Sequence, residues 1–470
     1  MVTLEDELRT KYVEELFQFA LTSDDESFHN LLYTWLYERG HSHLLTSIRS
    51  PYIEEFLKHK DQDLLIKLHM DQHRYLLAAK IWWARAHEDT VGENEFTATS
   101  NLIVGKNLDI VKRQYYVSKS LGCLKSLEDV GEVSEAIKEV RDVLDVLQLQ
   151  VRVLKTLEQQ IMELETSSAV PNDDLEARKL DLEILTFKLL DASTLYNQFA
   201  SKYSMWTECL QIIHVCKSEE GDVIASLWRK IIFSLLPPSS INSAFNAWRL
   251  DQCEKAGLSA MSSRSNANAS FESGNWIGRM QCKLLRLGKS LYWEDDDRHS
   301  GAAAGMGELV FPVGFLADVL EWISLWYIRS TGIGAFTGSV ASAAAIDATT
   351  FNWVLKLFLD VGVPHHVLLS CYEQLYREQS ERLFREGWTL HLLQSMVAII
   401  TIWKKHVISS RAGKDQLAEF AACCPNVVDL CDGFITDLRA TSQDGNGDAM
   451  ALLDQIRRVK SDLINFRTFM

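Results

Sequence analysis

From Glu132 to Glu165 the chain carries neither Gly nor Pro, and its apolar residues recur every three or four positions. Val133, Ile137, Val140, Leu144, Leu147, Val151, Leu154, Leu157, Ile161 and Leu164 fall on one stripe of an α-helix about 50 Å long. The stretch "TSSAVPND" separates this run from a second striped segment, Leu175 to Ala200. Two such segments joined by a short loop predict an antiparallel helical hairpin over residues 132–200. The heptad-like spacing would also serve a coiled coil between molecules, but a partner of similar length in the same chain favours the hairpin.

The rest of the chain reads the same way. Only seven prolines occur in 470 residues, and each stands where a helix should begin or a loop should run. Ser50-Pro51 sets a capping hydroxyl and a first-turn proline before "PYIEEFLKH", and Val363-Pro364 opens "PHHVLLSCYEQLY" without the cap. Ser23 and Glu26 have capping-box spacing before "SFHNLLYTWLYERG", which Gly40 would close in a left-handed turn. Strand alternation bounded by hairpin turns is hard to find. The expected fold is all-α: an irregular α-helical solenoid of stacked antiparallel helix pairs, read as a single elongated solenoid over 1–470 with sub-regions 1–131, 132–254 and 276–470. Stretches rich in Gly, Ser, Ala and Asn near 255–275, 294–307 and 330–350 read as surface loops. No strict sequence period is visible, which suits an irregular stack of helices.

Charge and cysteine usage narrow the partners. A formal charge of −16 disfavours nucleic acid and anionic lipid, whose binding needs clustered Lys and Arg. Nine cysteines lie at irregular spacings with no C-x-x-C, so neither a disulfide framework nor a zinc ribbon is indicated. No basic segment followed by an apolar run opens the chain, so no secretory signal is expected. The most apolar window, Phe311 to Ile328, includes Asp318 and Glu321 and reads as a buried helix, not a membrane span.

The stretch "HRYLLAAKIWWARAH", His73 to His87, looks at first like a site. Rotating each residue by 100° gathers Tyr75, Ala78, Ala79, Trp82 and Ala86 on one face, sets Trp83 a quarter-turn away beside Leu76, and leaves His73, Lys80 and His87 on a polar stripe. That pattern predicts a helix packed between others, with Trp82 in the core. His73 and His87 stand about 21 Å apart along the axis and cannot share an ion. His69 and His73 have i, i+4 spacing, but the polar "MDQH" indicates a turn and no third ligand is evident. The acidic run Glu294 to Asp297 lacks the carboxylate that an all-α prenyl transferase would need at His299. "GKS", Gly288 to Ser290, lacks the upstream glycine of a phosphate loop, and "GIGAFTG", Gly332 to Gly338, follows no strand. No catalytic, cofactor-binding or metal site is therefore expected.

Four blocks in this order carry a resemblance: "FHNLLYTWLYERGHSHLLTSIRSPYIEEFL", "DLLIKLHMDQHRYLLAAKIWWARAH", "LYNQFASKYSMWTECLQIIHVC" with "VIASLWRKII", and "FNWVLKLFLDVGVPHHVLLSCYEQLYRE". Together they resemble the C-terminal half of the large inner-ring scaffold nucleoporins, most specifically at Trp35, Ser50-Pro51, Asp63-Leu64-Leu65, Ala78-Ala79, Trp228 and Gly362-Val363-Pro364. The resemblance implies an α-solenoid that follows a β-propeller in the full-length protein, so the chain looks like a C-terminal fragment. It also implies a non-catalytic scaffold of the nuclear pore complex at the nuclear envelope. The implied partners are linker nucleoporins, above all the one with phenylalanine-glycine repeats and an autoproteolytic C-terminal region, together with other inner-ring scaffold subunits. Grooves between stacked helices can take peptide anchors. Trp83 is one candidate wall, and Trp322 with Trp326, i, i+4 on "FLADVLEWISLWYI", is another; the competing reading places all three in the core. The alternatives are a helical-repeat transport receptor or coat adaptor, and a magnesium-dependent prenyl transferase.

Overall fold

Helix C-termini shape the architecture, because each one leaves carbonyls that need hydrogen-bond donors. The computed structural model describes Tyr12, Glu15 and residues 19–87, 108–127, 133–166, 172–236, 276–292, 310–331, 353–378, 388–409, 414–441 and 447–469, and no strand occurs among them. The helices are α1 (Glu26–Glu38), α2 (Ser42–Leu45), α3 (Tyr52–Lys60), α4 (Gln62–Asp71), α5 (Tyr75–Ala86), α6 (Ile110–Lys125), α7 (Ser134–Thr166), α8 (Asn172–Phe187) and α9 (Ala192–Thr194). After a π-helical turn, Leu195–Ala200, come α10 (Trp206–Val215), α11 (Gly221–Ser234), α12 (Trp276–Leu291), α13 (Val313–Thr331) and α14 (Trp353–Val361). The last are α15 (His365–Arg377), α16 (Trp388–Ser409), α17 (Lys414–Thr441) and α18 (Gly447–Phe469). The chain divides into two compact units, Met1–Glu208 and Cys209–Met470. The stretches expected as loops near 255–275 and 294–307, and nearly all of that near 330–350, lie outside the described residues.

Among the described residues, five chain reversals share one hydrogen-bond pattern. At Gly40 (φ 77°) the His41 N–H donates to Leu36 O at 2.9 Å and the Gly40 N–H to Tyr37 O at 3.1 Å. The same pair of bonds recurs around His73, Ser204, Lys217 and Gly362, all at positive φ. This left-handed cap satisfies the last carbonyls of a helix while turning the chain. Glycine makes it without a Cβ penalty at 40 and 362; the other three turns hold side chains there. The Ser50 hydroxyl caps α3 by accepting from the Tyr52 N–H at 3.3 Å. The expected capping box at Ser23 and Glu26 is replaced: Asp25 is the cap and accepts from the Ser27 N–H at 2.9 Å, while Ser23 Oγ accepts from the Asp25 N–H.

In the first unit α7 runs 33 residues, with Val140, Leu144, Leu147, Val151, Leu154, Leu157 and Ile161 buried on one stripe as its periodicity requires. Its expected equal-length partner is broken. α8 spans 16 residues, and the chain restarts only after Asp191, whose carboxylate caps α9. At the break stands Gln150 of α7, fully buried. Its amide donates to Leu185 O (2.8 Å) and Lys188 O (2.6 Å), and its carbonyl accepts from the Leu190 N–H (3.2 Å). One side chain thereby pairs the backbone that the break exposes.

Arg113 on α6 does the same for two helices at once. Only 1% exposed, it donates to the last carbonyl of α5, Ala86 O (2.5 Å), to Leu108 O (3.2 Å) and to the last carbonyl of α8, Phe187 O (3.4 Å). A cation at two helix C-termini also complements their dipoles.

The second unit packs around aromatic rings. The buried Trp228 indole N–H donates to Val310 O at 2.8 Å, and its ring meets Phe311 edge-on at 5.6 Å. Phe311 in turn contacts Tyr292 and Phe358. Gly288, within the "GKS" stretch, lies inside α12 and forms no phosphate loop; a Cβ there would sit 2.5 Å from Val361 Cγ2 and 3.1 Å from Phe311. Its role is close approach of α12 to α14.

Two substitutions follow from this packing. Arg113→Met leaves three carbonyls without their cation and should cost at least about 3 kcal/mol in denaturant melts of this chain, with Arg113→Lys recovering part. Gly288→Ala, although it raises helix propensity, should lower stability by about 1–3 kcal/mol because the new Cβ would press on the buried Val361 and Phe311.

Candidate partner-binding surface

The two adjacent tryptophans of α5 diverge, as the helical rotation requires. Ala78, Ala79 and Ala86 are buried, and Ser120 Oγ on α6 donates to Ala79 O at 3.0 Å, so the two backbones run close. Trp82 faces α6 but is only half-buried, which corrects its expected core placement. It lies between Tyr115 (6.1 Å) and Tyr116 (5.5 Å), with the Arg85 guanidinium 5.6 Å from its ring centre. Arg85 is fixed by Asp63 at 2.5 Å and Gln62 at 2.8 Å on α4. Polar partners line this side, so the indole sits at a rim instead of within an apolar layer.

Trp83 is half-buried and lies against His87, ring centres 4.4 Å apart and planes tilted by 41°, while the His87 Nδ1–H donates to Trp83 O at 2.9 Å. Leu76, 41% exposed, and the exposed Lys80 share its face. The ring is therefore held in place by its own helix and still reachable.

Trp322 is 8% exposed and belongs to the core of the second unit. Beside it on α13, Glu321 is completely buried, accepting from the Tyr372 hydroxyl of α15 and from His391 Nε2 of α16 at 2.6 Å. Burial and this carboxylate drive the Tyr372 pKa well up, so the phenol stays a donor. The Trp326 side chain lies outside the described side chains.

A surface that the periodicity reading passed over lies on α1. Phe28, Leu31 and Trp35 are 40%, 72% and 53% exposed, spaced i, i+3, i+7, while His29, Tyr33 and Leu36 of the same helix are buried. The signal was present: "FHNLLYTWLYE" has apolar or aromatic residues on more of its circumference than one buried face needs. Arg39 sits 5.9 Å from the Trp35 ring.

His69 is buried, with its pKa lowered by desolvation, and His73 turns away in the left-handed cap with Nδ1 bonded to the Tyr75 hydroxyl at 2.9 Å. Among the described residues no group of three or more His, Cys, Asp or Glu could hold a metal ion. None of the described helices is long and apolar enough to cross a membrane. The acidic run Glu294 to Asp297 and "GIGAFTG" lie outside the described residues.

Comparison with known proteins places this arrangement. The fold is similar to that of the C-terminal domain of Chaetomium thermophilum Nup170, at a TM-score of 0.59 and 18% identity over 99% of this chain and 75% of that one. The Nup170 C-terminal domain in complex with Nup145N gives the same score and identity over 98% and 74% of the two chains. A longer Nup170 solenoid, also from Chaetomium thermophilum, matches with 0.59 and 18% over 98% and 51%. The chain thus shares the all-α fold of these helical solenoids. Residues 2–266 match the non-repetitive/WGA-negative nucleoporin C-terminal family, and the chain belongs to it. It is a scaffold protein of the nuclear pore complex, at the nuclear envelope.

One group in the second unit gives stability a pH dependence. His365 stacks on Trp403 at 6.0 Å with His406 5.6 Å away. Burial first, then the charges of His406 and His366, bring its pKa down from 6.5 to about 4. The folded chain keeps it neutral where the unfolded chain takes up a proton. Stability should therefore fall as pH drops from about 6.5 towards about 4, and level off below. Solvent on the open side of the ring limits the loss to about 2 kcal/mol. Denaturant melts of the parent and His365→Gln across this range should show a shallower slope in the variant.

Proposed function

We propose that this chain acts within the inner ring by taking short segments of linker nucleoporins into grooves between its helices. The phenylalanine-glycine-repeat nucleoporin with an autoproteolytic C-terminal region is the foremost ligand, and other inner-ring scaffold subunits are further partners. The observation that carries the reading is the solved complex of the similarly folded Nup170 domain with Nup145N. The half-buried Trp83, immobilised against His87 with exposed Leu76 on the same face, supports it as an anchor position on α5. The role is non-catalytic. Family membership disfavours the transport-receptor and prenyl-transferase alternatives.

Isothermal titration of this chain with overlapping linker-nucleoporin segments tests the reading. One segment should bind saturably, and Trp83→Ala should weaken it by about tenfold or more, as loss of a buried aromatic anchor does. The thermal melt should stay close to that of the parent, since the ring is only half-buried. Full affinity in a folded Trp83→Ala variant would remove this groove, and no binding of any segment would remove the proposal.

A further inference from the structure

The outer face of α6 has a different chemistry from the Trp83 face. The helix carries Lys112, Arg113, Lys119 and Lys125 and no Asp or Glu, on a chain of charge −16. Val111, Lys112, Tyr115, Lys119 and Gly122 fall within about 100° of one another around its axis. All five are exposed, Val111 by 49% and Tyr115 by 52%. Neither Lys112 nor Lys119 pairs with a carboxylate among the described residues, and the Lys119 Nζ lies 5.3 Å from the Tyr115 ring centre. Two acids close by in the structure are already engaged: Asp109 caps α6 by accepting from the Val111 N–H at 3.1 Å, and Asp63 pairs with Arg85. Trp82 meets Tyr115 edge-on at the border with α5 and extends the apolar surface there. Two uncommitted ammonium groups thus stand about 10 Å apart along the axis, with an exposed phenol ring between them.

From this we infer that the outer face of α6 docks a short acidic polypeptide segment carrying an apolar side chain. Binding carboxylates here breaks no ion pair within the chain, so the attraction of Lys112 and Lys119 is available to a partner. Tyr115 and Val111 give an apolar side chain a surface between the two charges. A segment of about eight residues, under about 30 Å long when extended, covers the two lysines and little else. A long polynucleotide or an anionic bilayer would reach past this face to the acids that give the chain its net charge. A bilayer also needs more apolar area to insert than half-exposed Val111 and Tyr115 offer. The inference does not depend on the linker-segment reading, because it engages α6 and leaves Trp83 untouched.

Fluorescence anisotropy on the whole chain tests it, with a labelled peptide of about eight residues, alternating Glu and Asp around two leucines. Binding should be saturable, weaken with salt, vanish when every acid is replaced by its amide, and weaken when the leucines are replaced by serine. Charge reversal at Lys112→Glu with Lys119→Glu should weaken it by about tenfold or more, with an unchanged thermal melt because both side chains are exposed. Gly122→Lys adds a cation to the same face, where nothing lies within 4 Å of an added Cβ, and should tighten binding about threefold. This variant decides the matter if the double reversal unfolds. Trp83→Ala should leave the binding unchanged; its loss in that variant would overturn the inference and return the peptide to the α5 face. Equal binding by the parent, the double reversal and Gly122→Lys would also overturn it, as would no binding at all. Equally tight, competing binding of an oligouridylate or of phosphatidylserine vesicles would overturn it in favour of a general polyanion site.

Discussion

A carbonyl at the end of a buried helix must find a donor, and this requirement governs the structure more than any single apolar contact. Five left-handed turns meet it locally, by bonding the last carbonyls to the backbone that follows. Where the chain does not turn that way, a side chain from another helix supplies the donor. Gln150 serves the end of α8, Arg113 the ends of α5 and α8 together, and Trp228 the backbone at Val310. Apolar burial then follows, because these bonds fix which helices lie against one another and at what level. Trp83 owes its position to the same frame: α5 is held to α6 by Ser120 and Arg113, and its outer face is what remains.

The class of the fold was legible in the sequence because it depends on repeated signals. The α7 stripe, the Ser50-Pro51 start and the glycines at 40 and 362 each stated a local preference that the structure keeps, whereas Pro425, expected at a helix start or in a loop, lies inside α17. What escaped were single polar residues acting at a distance. Gln150 sits in a run that reads as ordinary amphipathic helix, and nothing nearby shows that it terminates a segment 35 residues further on. The turns at His73, Ser204 and Lys217 carry no glycine, so only their hydrogen bonds reveal them. The helix entry at Asp25 was misread because Ser23 offered a plausible cap two residues early.

The surface was legible in part. Rotation alone separated Trp82 from Trp83 and placed Trp83 beside Leu76. It could not foresee that Tyr115, Tyr116 and Arg85 would leave Trp82 half-open, since those contacts depend on the approach of α6 and α4. For Trp322 the apolar window from Phe311 to Ile328 already read as a buried helix, but the window alone did not show how its acids would be accommodated. Glu321 is itself buried, with its hydrogen-bond partners brought in by two later helices. The α1 stripe shows the converse, a helix whose surplus of apolar residues announced an exposed face.

The Glu321 cluster has a consequence for how such a sequence can change over generations. Its three members come from α13, α15 and α16 and bond one another, with Glu321 and Tyr372 fully buried and His391 nearly so. Replacing the acid alone removes the acceptor that a phenol and an imidazole share; replacing either donor alone leaves the buried carboxyl group with one hydrogen bond fewer. Lineages can therefore exchange this polar knot for an apolar one only by substituting several positions nearly together. Glu321, Tyr372 and His391 should drift as a single inherited character, while the apolar residues around them vary one at a time.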